Sequence, residues 1–360
     1  MLTARPWIAA LGTIAIGLAA LVLLIPAAPL TGDGASYVEF VRNGLQHGAS
    51  TWHERRLLGP AIVRALPLDP LNGFFVLTVV SLSATALLTW RAASDLLGSH
   101  TRAFVAIPLL FGTWVVAPNM REYALVDPLA WVFVAAIWLC TVRRLWLHAA
   151  ILGGIGVLAK EVVVLAAVAA AVAAWDRHRV WQALAVVAPA VVVVVALTLV
   201  VPGSGTDATA YVLKWVRDGL GSLGPLRAVY LVVASYGALW LLVPIGFRAL
   251  PAYVRRAGLV YLLAAVALPF VGSPERMEEA IFPLVVGCAV MATRAWPALV
   301  VWVFALCSAV FVARVGGDAR IPTPVAWSCL ALALVIVGWR VAMPGLALRR
   351  GPRGTTAPST

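Results

Sequence analysis

The residues able to do chemistry in this chain lie in short polar breaks between apolar stretches. The break after the first stretch carries Asp33, Glu39, His47, His53, Glu54, Arg55 and Arg56. A second reads Asn119, Arg121, Glu122 and Tyr123, with Asp127 just inside the following apolar run. Then come Lys160-Glu161, a longer segment holding Asp207 and Lys214, and the run Ser273-Pro274-Glu275-Arg276-Met277-Glu278-Glu279. Ionisable groups at or below a bilayer surface are costly, so they face a cavity and pair with one another. A cavity that sets carboxylates beside Arg and Lys suits a substrate bearing both phosphate and hydroxyl groups. Cations hold the phosphate, and a carboxylate takes a proton from an attacking hydroxyl.

Each of these residues also has a structural reading. Asp33, in Gly32-Asp33-Gly34, could be a turn or helix-cap residue. Lys160 could snorkel to headgroups beside Glu161, although it is one of only two lysines, the other being Lys214. Arg55 and Arg56 could bind lipid headgroups, and Arg121-Glu122 could be a structural ion pair. Asp127 precedes Pro128, where it could cap a helix. Arg276 could pair with Glu275 or Glu279. His47 and His53, six apart, match no zinc pattern. The outer carboxylates could hold a divalent cation, but Asp33 and Glu39 are also six apart and need not converge.

The elements that position these groups follow from composition. With 62% hydrophobic residues and a mean hydropathy of +0.97 over 360 residues, the chain is expected to be an all-α polytopic membrane protein. About twelve apolar spans are expected (ten to thirteen), near residues 7–29, 71–90, 103–118, 124–142, 146–159, 161–175, 181–201, 229–248, 257–271, 279–293, 297–313 and 323–343. Several fall short of the ~20 residues a crossing needs, and 146–159 with 161–175 read as short helices meeting a thinned or protein-lined region. Every second break is rich in arginine: Arg91 and Arg102, Arg143 and Arg144, Arg177 and Arg179, Arg248 to Arg256, Arg294, and Arg349 to Arg353. The positive-inside rule makes those breaks, and both termini, cytoplasmic. All 15 carboxylates except Asp95 and Asp176 then fall outside.

The net charge of +12 is therefore a topology signal at helix ends and not a nucleic-acid patch. Two outer segments, 31–70 and 202–228, are long enough for structure of their own. In the first, Tyr37, Phe40 and Val41 share a face that Glu39 and Arg42 avoid, as in an amphipathic interfacial helix. Tyr211 to Leu220 forms a similar stretch in the second. Residues 1–350 read as one transmembrane domain with an uncleaved first helix, and 351–360 as a disordered cytoplasmic tail. Trp7, Trp114, Trp175, Trp181 and Trp215 read as an interfacial belt. The four cysteines lie inside apolar runs without metal spacing.

Several short motifs recur in a family order. An acid follows the first helix, then His53-Glu54-Arg55-Arg56-Leu57-Leu58-Gly59-Pro60, Arg121-Glu122-Tyr123 with Asp127-Pro128, Leu158-Ala159-Lys160-Glu161, and Glu275-Arg276 ahead of Phe282-Pro283. Over about residues 1–290 this order resembles the GT-C superfamily of integral-membrane glycosyltransferases that use polyprenyl-phosphate-linked sugars. The chain departs from many relatives in having a lone Asp33 in place of an adjacent acidic pair, and in lacking a large soluble C-terminal domain. The resemblance implies a GT-C-like helical module with short amphipathic helices in the first outer loop. It implies a catalytic base at Asp33 and an inverting attack by an acceptor hydroxyl of a glycan, lipid or protein. It also implies donor-phosphate contacts from Lys160 and Arg276, with Glu161 holding Lys160 or contacting sugar hydroxyls. A polytopic transporter or lipid flippase, and a catalytically silent relative that scaffolds envelope assembly, are the competing expectations. The richness in Ala, Val and Arg points to a GC-rich genome and a bacterial inner membrane.

Overall fold

The computed structural model describes residues 5–30, 33–44, 55–175, 180–201, 217, 224–267 and 278–342. Among these residues the fold is all helix. In chain order the elements are α1 (Arg5–Leu24), α2 (Gly34–Asn43), α3 (Leu58–Ala65), α4 (Pro70–Leu97), α5 (His100–Ala103), α6 (Ala106–Phe111), α7 (Ala117–Arg121) and α8 (Asp127–Arg143). Then come α9 (Trp146–Val157), α10 (Val163–Ala174), α11 (Val180–Val200), α12 (Gly224–Tyr236), α13 (Val243–Ala249), α14 (Ala252–Ala267), α15 (Phe282–Thr293), α16 (Ala298–Gly316) and α17 (Thr323–Ala342).

Each expected apolar span holds helix among the described residues, but the number of crossings stays coarser than the twelve expected. Among the described residues, six stretches are long and apolar enough to cross a membrane: Pro6–Leu24, Pro70–Leu97, Val180–Val200, Val232–Ala249, Ala298–Gly316 and Thr323–Ala342. Their outer faces carry Leu23, Trp181, Leu199 and Leu299, each at least three-quarters exposed, an apolar surface of the kind a membrane covers. The protein is therefore a membrane protein. The segment 103–118 is not one span. Pro108 and Pro118 remove backbone donors, and the chain breaks into α5, α6 and α7. Helices α9 and α10 have 12 residues each, so each is about 18 Å long against a hydrocarbon core of about 30 Å. They meet in a tight turn at Ala159–Val162, where the amides of Ala159 and Lys160 both donate to the Gly156 carbonyl.

α4 is the spine. Asp69 caps it by accepting from the amides of Leu71 and Asn72 at 3.0 and 3.3 Å, Pro70 starts it, and Gly98 ends it in the left-handed region at φ 63°. Its 28 residues span about 42 Å, and it packs on α8 along most of that length. At one end Asp95 pairs with Arg143 at 2.6 Å and with Arg91 at 3.7 Å. At the other, the Thr78 hydroxyl donates to the Tyr123 carbonyl at 2.9 Å. A second close crossing joins α13 to α15, where a Cβ on Gly246 would fall 1.8 Å from the Cys288 carbonyl oxygen. The tryptophan belt is partly corrected. Trp7, Trp175 and Trp181 are exposed, but Trp114 is buried against Phe311 and Val312, and Trp215 lies outside the described residues. The stretch Tyr211 to Leu220 and the tail 351–360 also lie outside them, save Arg217.

Candidate functional site

α2 has the amphipathic character its sequence predicts. Tyr37, Val38 and Val41 are buried, while Glu39 and Arg42 are exposed. Its first residue must be glycine: a Cβ on Gly34 would meet the Pro29 carbonyl oxygen at 2.0 Å and the Ala124 methyl at 3.3 Å. That contact presses the start of α2 onto the segment before α8. The Ala28 amide also donates to the Arg121 carbonyl at 2.8 Å. Asp33, immediately before α2, occupies the N-cap position, yet its side chain makes no cap hydrogen bond. It faces Arg56 instead, at 4.0 Å, and is about one-third exposed.

Arg56 is the hub. Its Nε and Nη2 donate to Glu161 at 3.0 and 2.6 Å, a two-pronged fork, and its Nη1 donates to the Tyr37 hydroxyl at 2.7 Å. Burial alone would lower its pKa. Glu161, Tyr37 and Asp127 together outweigh this, so the guanidinium is held charged above its ordinary range. Burial raises the Tyr37 pKa more than Arg56 lowers it, which leaves a neutral phenol. The Leu58 amide donates to the Leu158 carbonyl at 2.9 Å, which ties the first loop directly to the α9–α10 turn and sets the fork's reach.

Beneath this rim lies a second pair. The Lys160 ammonium is hydrogen-bonded to the Asp127 carboxylate, and both side chains are at most 3% exposed. Lys160 also lies 5.7 Å from the centre of the Trp131 ring, within cation–π range. Asp127 and Trp131 are one helical turn apart on α8. Trp131 meets Phe282 edge-on at 6.4 Å, which leads to the break before α15. There Asn119 donates to Glu279 at 2.8 Å, and the Tyr236 hydroxyl donates to the Glu278 carbonyl at 2.5 Å. Glu278 is fully buried, and neither of its carboxylate oxygens has a hydrogen-bond partner among the described residues. Burial pushes its pKa up to about 8.

The sequence-predicted residues are thus only partly gathered. Asp33, Arg56, Asp127, Lys160 and Glu161 form one polar site. Glu161 holds Arg56, and Lys160 is held by Asp127, so the pairing differs from a Lys160–Glu161 couple. Arg55 flanks the site, with its Nε buried. Arg121 faces Asp318 at 3.8 Å, across from Arg314. Glu275 and Arg276, like His47, His53, Glu54, Asp207 and Lys214, lie outside the described residues. Tyr37, Trp131 and the Asn119–Glu279 contact were not anticipated. Their signal was spacing: Tyr37 follows Asp33 by four, and Trp131 follows Asp127 by four, one turn along each helix. Among the described residues, no three His, Cys, Asp or Glu converge as a metal site would require.

The arrangement offers an open carboxylate, a guanidinium on its rim and a buried cation in its floor. Such a site can accept a proton and meet an anion. No family model, curated protein or solved structure matches the chain.

Proposed function

We propose that this chain is a membrane glycosyltransferase that moves a sugar from a polyprenyl-phosphate donor to an acceptor hydroxyl, with inversion and with Asp33 as general base. One observation carries this reading. Asp33 stands where a helix would ordinarily use it as a cap, but its carboxylate is turned to Arg56 and stays partly open. A base must be reachable by the hydroxyl it deprotonates, and the leaving phosphate needs a fixed cation where its charge develops. Arg56 stands within 4.0 Å of the base and has the fork geometry for phosphate. The motif order of the GT-C superfamily supports the same reading. On it, the site faces outward across a bacterial inner membrane, the short helices pair to complete about twelve crossings, and both termini are cytoplasmic.

The test is transfer of labelled sugar from synthetic polyprenyl-phosphate donors by purified protein. Asp33→Asn should lower turnover by about 10²–10⁴-fold while donor binding persists. Unchanged turnover would remove Asp33 as base. A second reading, proton-coupled transport, is favoured by the buried Lys160–Asp127 pair beside two half-length helices, a setting transporters use. Proteoliposomes that acidify on substrate addition, with no sugar transfer, would replace the first reading with this one.

A further inference from the structure

The end of the molecule remote from Asp33 holds a cleft of ≈530 Å³ that the proposed chemistry does not use. It opens where four helix ends meet: the ends of α4 and α15, α5, and the start of α16. Arg102 and Arg294 stand at its mouth, both exposed. Neither has an ion-pair partner among the described residues, and no carboxylate lines the cleft; Asp95 is held by Arg91 and Arg143. The inner wall is apolar, with Val105, Val290 and Val301, and Trp296 and Trp302 are partly buried along it. Above Trp296 lies a third cation, Arg340, 5.9 Å from the ring centre. α16 begins at Ala298 in the cleft lining, with no side-chain cap on its first amides, so its positive end stands at the cleft.

This combination has a specific chemistry. Uncompensated arginines at a helix-end level, above an apolar slot flanked by tryptophans, match a phosphate headgroup with a hydrocarbon chain below it. A free anion would need no apolar wall, and a zwitterionic lipid would bring its own cation against the arginines. We propose that this cleft binds one anionic phospholipid, its phosphate between Arg102 and Arg294 and an acyl chain against Val105 and Val301. The site is separate from Asp33: no residue of the polar site lines the cleft, and α15 runs from Phe282, against Trp131, to Thr293 in the cleft lining.

The test is native mass spectrometry of the full chain in detergent, titrated with palmitoyl-oleoyl phosphatidylglycerol or the matching phosphatidylcholine. The wild type should retain one phosphatidylglycerol at low loading and no phosphatidylcholine above background. Arg102→Ala with Arg294→Ala should weaken that binding by about thirty-fold, from about 1 kcal/mol per arginine and 1.4 kcal/mol per tenfold. Both positions are exposed, so the fold should survive. Ala298→Trp, which fills the slot and leaves both arginines, should also weaken it. Equal retention by wild type and the double variant would overturn the proposal, as would equal retention of phosphatidylcholine. Displacement of the lipid by inorganic phosphate would also overturn it, in favour of a small-anion site.

Discussion

Replacing Lys160 by methionine keeps the length of the side chain and removes its charge. Asp127, 1% exposed, is then left as a buried carboxylate without its counter-ion. Breaking a buried pair in this way costs about 3–5 kcal/mol. The lost approach to Trp131, at 5.7 Å, adds up to about 2 kcal/mol when the cation is fully desolvated. Pairing Lys160→Met with Asp127→Asn removes both charges, and the double variant should recover most of the loss, since a buried pair often does no better than neutral packing. The assay is thermal unfolding in detergent followed by intrinsic tryptophan fluorescence. At about 2 °C per kcal/mol, the low end for large chains, Lys160→Met should fall by about 6–14 °C and the double variant by less than half of that. A single-variant shift under about 2 °C, or a double variant no better than the single, would refute the pairing. If Lys160 instead serves mainly to contact a donor phosphate, Lys160→Met would unfold like the wild type and lose only donor binding.

Glu278 gives a pH signature. Its folded pKa of about 8 lies above the ordinary 4.5, so the native state holds this proton more tightly than the unfolded chain. Its contribution to stability is therefore fully present below about pH 4.5 and is lost as pH rises toward 8. Glu278→Gln should flatten that part of the stability-versus-pH curve; an unchanged slope would show that Glu278 is ionised in the fold. Arg56→Lys replaces a fork with a point charge and loses at least one bond to Glu161. Because Glu161 is 41% exposed, the expected cost is modest, about 1–2 kcal/mol in thermal unfolding, and a loss above about 4 kcal/mol would show that the fork is more than a local tie. Gly246→Val would drive a side chain into the Cys288 backbone and should cost about 3 kcal/mol, measured as a lower melting temperature and less folded protein in the membrane fraction. Wild-type behaviour there would contradict the close α13–α15 crossing.

The sequence was a good guide wherever one short-range rule decided the outcome. Hydropathy located the helices, and period-3.6 patterning gave the buried face of α2, including Tyr37 and Val41. Arg91 and Arg143 sit with Asp95 at one end of α8, and Lys160 with Asp127 at the other. Pairing across long separations was not legible. Arg56 and Glu161 are 105 positions apart, and nothing local distinguishes that partnership from the adjacent Lys160–Glu161 couple. It depends on the Leu58–Leu158 backbone contact, a product of tertiary packing. The number of crossings is open for a related reason. Helices of 12 residues, α9 and α10, are apolar enough for a membrane but too short to cross it alone, and length and composition do not decide how such helices count. Trp114 misled because an aromatic at a segment end reads the same whether it faces lipid or Phe311.

The fork between Arg56 and Glu161 has one more consequence. A cation that already holds a carboxylate in both prongs does not meet solution anions bare. Chloride, sulfate or free phosphate would have to displace a tethered rival whose effective concentration is far above their own. On the proposed reading, a ligand phosphate meets that cost only by gaining binding elsewhere, from its sugar ring or lipid tail. Glu161 would then be a built-in competitor, and selectivity against small abundant anions would follow from the Arg56–Glu161 fork itself.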